Sequence, residues 1–143
     1  MKVAAVDIGT NTVRLLIADL VPDGDEYRLR GPERHEIITR LGEGLDASGR
    51  LSEAPMERAL TGLGHYRGLI AASGAERRAA VATAAPRSAE TGRQFIERVA
   101  AVLGCHPRVI DGVEEARLTF AGATHMLRHA ESFCVIDVGG GSS

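Results

Sequence analysis

The stretch Lys2-Val3-Ala4-Ala5-Val6-Asp7-Ile8-Gly9-Thr10-Asn11-Thr12-Val13-Arg14-Leu15-Leu16-Ile17-Ala18-Asp19-Leu20 decides the fold. Residues 2–7 are a short apolar run ending on an aspartate, which reads as a buried strand. Gly9-Thr10-Asn11-Thr12 reads as a turn and Val13–Leu20 as a second strand. Asp23-Gly24-Asp25 is a further turn signal, so a third strand is expected between Tyr27 and Thr39. Three strands joined by short turns make an antiparallel meander.

Downstream, Leu41–Arg50 is a loop with Gly42, Gly44 and Gly49. Ser52 can cap a helix that starts at Glu53 and stops at Gly74, with Met56, Leu60, Leu63 and Ile70 on one face. Gly62, Gly64 and Gly68 weaken its middle. The pattern then alternates. Arg78–Ala82 is a strand, and Ser88–Leu103 a helix with Phe95, Val99 and Leu103 or Val102 inward. Pro107–Ile110 is a strand, and Val113–Arg128 a helix whose expected buried stripe is Val113, Ala116, Phe120, Ala123 and Leu127. Phe133–Val138 closes the series as a strand. The expectation is an α/β protein with a mixed five-stranded sheet, three antiparallel strands then parallel ones, and helices on its faces. That order resembles the ribonuclease H-like lobe that actin-like ATPases, sugar kinases and Hsp70 chaperones use twice. The end of the chain, Val135-Ile136-Asp137-Val138-Gly139-Gly140-Gly141-Ser142-Ser143, echoes Ala5-Val6-Asp7-Ile8-Gly9-Thr10-Asn11-Thr12. The echo implies a two-lobed parent, with residues 1–131 as the first lobe and 132–143 as the first strand and loop of a second.

Composition narrows the partners. The 143 residues carry a net charge of −2 with basic residues scattered along the chain, which argues against nucleic acid. No apolar run reaches membrane-span length, and the first residues lack a signal-peptide pattern, so a cytoplasmic address is expected. Cys105 and Cys134 lack metal-ligand spacing and read as small core residues. His125 and His129 sit four apart without the glutamate a zinc helix needs, and read as solvated.

Two segments carry candidate chemistry. The turn after Asp7 aims backbone N–H groups and hydroxyls of Gly9, Thr10, Asn11 and Thr12 at one point, as an anion site requires. Asp7 is placed to bind a metal ion or its waters. On spacing alone the same residues also make an ordinary hairpin turn with a capping aspartate. Glu114 and Glu115 open a helix, where carboxylates also serve as caps. Glu114 has Arg117 three residues on as an ion-pair partner, whereas Glu115 meets Leu118 and Thr119 with no local cation.

Four segments together resemble the exopolyphosphatase / guanosine pentaphosphate phosphohydrolase (Ppx/GppA) family. They are Val6-Asp7-Ile8-Gly9-Thr10-Asn11-Thr12-Val13-Arg14-Leu15, Ala82-Thr83-Ala84-Ala85-Pro86-Arg87, Gly112-Val113-Glu114-Glu115-Ala116-Arg117-Leu118 and the terminal Asp-Val-Gly-Gly-Gly-Ser-Ser. The resemblance implies that Glu115 is the base that activates water, and that Arg87 holds the phosphate chain. It implies Mg2+ with Asp137 and Asp7 as its carboxylates, and phosphate loops at 9–12 and at Gly139, Gly140, Gly141, Ser142 and Ser143. It further implies hydrolysis of the terminal phosphoanhydride of polyphosphate or guanosine pentaphosphate, and a homodimeric parent. The family pattern continues to an acidic residue past Ser143, so residues 1–143 alone are expected to be inactive. Two alternatives stay open: a non-catalytic sensor of (p)ppGpp or polyphosphate, and an actin-like ATPase or sugar-kinase lobe.

Overall fold

The computed structural model describes residues 1–24, 26–125 and 134–141. Five strands form one sheet in the order β3-β2-β1-β4-β5. They are β1 (Lys2–Ile8), β2 (Thr12–Asp23), β3 (Glu26–Ile38), β4 (Arg77–Ala82) and β5 (Arg108–Val109). β1 pairs antiparallel with β2 and parallel with β4, so both kinds of pairing meet on the central strand. The expected meander and mixed sheet are both present.

One face of the sheet packs against helices α2 (Glu53–Ser73) and α4 (Gly92–Leu103). Strand alternation sends Ala4, Val6 and Ile8 of β1 and Val13, Leu15 and Ile17 of β2 to that face, all at most 4 % exposed. Met56, Leu60, Leu63 and Ile70 of α2 and Phe95, Val99 and Leu103 of α4 meet them, as their helical spacing predicts. Gly62 has a packing reason: a methyl group there would stand 3.0 Å from Ile37 Cδ1, so glycine lets α2 approach β3. Two short helices, α1 (Leu45–Ser48) and α3 (Ala84–Ser88), lie in connections, and α5 (Gly112–Thr124) follows β5.

Four expectations are corrected. The helix expected from Ser88 begins at Gly92, because Ala89 adopts an extended conformation that ends α3 and Thr91 starts a new helix. Among the described residues α5 buries none of its expected stripe; Val113 is 63 % and Phe120 44 % exposed, while Leu127 lies outside the described residues. A periodic apolar pattern records a face able to pack, and the described elements gather on the opposite side of the sheet. Residues 134–138 form no strand, since the segment pairs with no described strand; Phe133 lies outside the described residues. Cys134 is exposed, whereas Cys105 packs against the core as expected.

Candidate functional site

Parallel pairing of β1, β4 and β5 points their carboxyl ends the same way, and a cleft of about 690 Å³ opens there. Open α/β sheets hold ligands at this end, where strands stop and loops supply unpaired backbone groups. Asp7, at the end of β1, lies half-buried on the cleft wall, followed by Gly9, Thr10, Asn11 and Thr12. Burial pushes the Asp7 carboxyl above its usual 3.8; Arg14 opposes the shift, and Glu115 and Asp137 add to it. Three carboxylates from distant parts of the chain therefore converge on one place.

Arg14 is the residue that sequence reasoning passed over. A turn of residues 9–12 pairs Ile8 with Val13 and so Asp7 with Arg14, placing both on the cleft side of the sheet. Arg14 Nε donates to Glu36 Oε2 at 2.6 Å, and Glu36 is its cross-strand neighbour on β3. That hydrogen bond, with the nearby charges of Glu36, Asp7 and Asp137, holds the guanidinium protonated more firmly than usual. The signal was legible in the turn length.

Glu115 reaches the cleft through the start of α5. Asp111 caps the helix by accepting the Glu114 N–H at 2.8 Å. The Glu114 side chain pairs with Arg108, the first residue of β5, not with Arg117, because the short turn into α5 brings Arg108 within reach. One residue on, about 100° around the helix, Glu115 turns into the cleft. It does have a cation: Arg87 Nη1 stands 3.5 Å from Glu115 Oε2, a contact between α3 and α5 that local spacing could not reveal. The same Arg87 nitrogen donates to Ile110 O at 2.7 Å. Arg87 thus stands beside Glu115, which lines the cleft, with part of its side chain exposed.

Asp137, Gly139, Gly140 and Gly141 also line the cleft. Thr119 of α5 donates to Asp137 Oδ2 at 3.5 Å. A methyl group on Gly140 would stand 3.2 Å from Asn11 Cβ, and one on Gly141 2.6 Å from Thr10 Oγ1. The second glycine loop thus lies directly against the first, with no room for a side chain. Ser142 and Ser143 lie outside the described residues.

The residues fit a hard cation acting with phosphate. Among the described residues no three His, Cys, Asp or Glu are close enough to hold an ion unaided. Magnesium is usually held by one or two carboxylates together with phosphate oxygens and water. The upward push on Asp7 from Glu115 and Asp137 is an excess of negative charge that such an ion would offset. No helix among the described residues is long and apolar enough to cross a membrane.

Comparisons with known proteins agree with this geometry. Residues 27–143 match the model of the Ppx/GppA phosphatase family. The chain is 41 % identical, over 99 % of its length, to exopolyphosphatase 2 of Mycobacterium tuberculosis, and spans 46 % of that relative. The structure of the Ppx/GppA family member from Aquifex aeolicus superposes with a TM-score of 0.78 at 34 % identity, covering 89 % of this chain and 40 % of that one. That of an exopolyphosphatase from Cytophaga hutchinsonii superposes with a TM-score of 0.77 at 31 % identity, covering 89 % and 39 %. The chain therefore spans less than half the length of these relatives, and its sheet and helices are a lobe of the actin-like ATPase fold. It belongs to the Ppx/GppA phosphatase family.

Proposed function

We propose that this chain forms one wall of the active site of a magnesium-dependent hydrolase that removes the terminal phosphate of polyphosphate or guanosine pentaphosphate. The observation that carries the reading is the convergence of Glu115, Asp7 and Asp137 on one cleft with the Gly9–Thr12 turn. Polyphosphate is the first substrate to try, since two similar proteins bear the name exopolyphosphatase.

In this reading the turn at 9–12 and the glycine loop at 139–141, continuing into Ser142 and Ser143, grip the phosphate chain through backbone N–H groups and hydroxyls. Glu115 orients a water and takes its proton as the oxygen bonds to the terminal phosphorus and the anhydride P–O bond breaks. No covalent enzyme intermediate is needed. Arg87, paired with the Glu115 carboxylate, holds the phosphate chain beside it, and Arg14, on the cleft wall, is a further cation for phosphoryl oxygens. Asp7 and Asp137 would hold magnesium, which when bound neutralises charge on the phosphate oxygens. A homodimeric, cytoplasmic protein is part of the same proposal; light scattering and cell fractionation test these two points.

The decisive test is orthophosphate release from both substrates, with and without magnesium, by the protein that carries this chain and by its Glu115→Gln variant. Loss of a general base is expected to slow release by roughly 10²–10⁴-fold with substrate binding retained. Release that survives the substitution would remove Glu115 from its role. Tight binding of either substrate without any release would replace the enzyme with a sensor.

A further inference from the structure

The turn at 9–12 takes its shape from a second loop. Gly42 N–H donates to Thr10 O at 2.8 Å, and the Thr39 and Arg40 N–H groups both donate to Asn11 O at 2.9 Å. Gly9 N–H closes the turn on Thr12 O at 2.9 Å. A planar trans peptide points its N–H opposite to its carbonyl. With the Thr10 carbonyl tied back to Gly42, the Asn11 N–H of the same peptide faces the other way, and Asn11 lines the cleft.

The second loop is itself held. Arg58, on α2, donates from Nε to Thr39 O at 2.9 Å and from Nη2 to Glu43 Oε2 at 2.8 Å. Arg40 sits in the left-handed region, φ 50°, a conformation that costs a non-glycine residue energy unless its surroundings impose it. Loop and turn also fit side chain to backbone: a methyl group on Gly42 would stand 2.4 Å from Thr10 Cγ2. Such a methyl forces either a rotation of Thr10, which moves its hydroxyl, or a shift of the turn.

We propose that the loop Thr39–Glu43, held by Arg58, is a positioning element that turns the Asn11 N–H and the Thr10 hydroxyl toward a phosphate oxygen. The inference rests on the phosphate-site reading above. It adds to that site residues that do not line the cleft.

The test is titration of the protein with inorganic tripolyphosphate, followed by the amide resonances of Thr10 and Asn11, with thermal unfolding of every variant. Wild-type protein is expected to show saturable shifts at both amides. Gly42→Ala and, separately, Arg58→Met are expected to weaken binding about tenfold while remaining folded, the loss of one charge-assisted hydrogen bond. Adding Thr10→Ser to Gly42→Ala removes the methyl in the way, since the next atoms, Thr10 O and Cβ, are 3.6 and 3.7 Å off. The double variant should then bind within about threefold of Thr10→Ser alone, a residual difference of about 0.65 kcal/mol at most. Because shortening Thr10 would relieve a steric loss of stability as well, thermal unfolding separates the two: the positioning role requires weakened binding in Gly42→Ala at a melting temperature close to that of wild type. Wild-type binding that Gly42→Ala and Arg58→Met leave intact would overturn the positioning role and leave the phosphate site standing. A double variant as weak as Gly42→Ala would also overturn it. Absence of any wild-type shift would overturn both.

Discussion

Replacing Tyr66 by phenylalanine isolates one hydrogen bond between the core and the strand that carries Arg14. Tyr66 is fully buried, and its hydroxyl donates to Val13 O at 3.0 Å. Phenylalanine keeps the ring and its packing, so the cost is the neutral bond plus a half-satisfied carbonyl, about 1 kcal/mol. For a chain of this length that is roughly 3 °C in Tm. Urea unfolding near neutral pH should show the loss as a lower midpoint with an unchanged slope. Burial first, and then the charge of Glu36, hold the Tyr66 phenol above its ordinary 10.0. A raised acid binds its proton more tightly when folded, so its stabilisation is complete below about pH 10 and lost as pH climbs through the folded value. The gap between wild type and Tyr66→Phe should therefore be flat at neutral pH and shrink in strong alkali. No measurable difference at neutral pH would refute the bond to Val13. A gap that stayed constant in alkali would refute the shifted phenol.

Two further outcomes follow from the same structure. Asp7 binds its proton more tightly in the folded chain, so the stability it confers is present below about pH 4 and lost as pH rises through its raised value. Asp7→Asn should accordingly unfold at a higher temperature than wild type near neutrality, with the difference closing in acid, while magnesium-dependent phosphate release falls. Asp111→Ala removes the cap of α5 and should cost about 1 kcal/mol in urea unfolding, with Asp111→Asn restoring most of it.

Where local physics sets the outcome, the sequence was enough. An apolar run, a glycine turn and a second apolar run leave one arrangement for β1 and β2, and the apolar stripe between Ser52 and Gly74 places α2 within a residue, although the Ser52 side chain makes no capping hydrogen bond. The turn at 9–12 was legible for the same reason, whereas Glu115 was singled out through the family resemblance. Contacts between distant segments were not. Arg87 meets Glu115 because α3 and α5 follow adjacent parallel strands, and Glu114 takes Arg108 over Arg117 because the short turn from β5 into α5 brings Arg108 back beside it. The stripe on α5 shows the converse limit, since periodicity states which side of a helix is apolar and says nothing of what lies against it. Arg14 was recoverable, because a four-residue turn fixes which residue stands opposite Asp7.

The position of β1 has a consequence for how the molecule opens. A strand bonded on both edges can exchange its amide hydrogens only when a neighbour leaves, so β1 belongs to the slowest-opening part of the chain. β3 and the two-residue β5 are the sheet's outer strands and can fray without disturbing it. Asp7 is thus mounted on the most durable piece of the fold, whereas the glycine loop 139–141 belongs to no strand among the described residues. Thermal loosening of the outer strands would leave the carboxylate standing in its place.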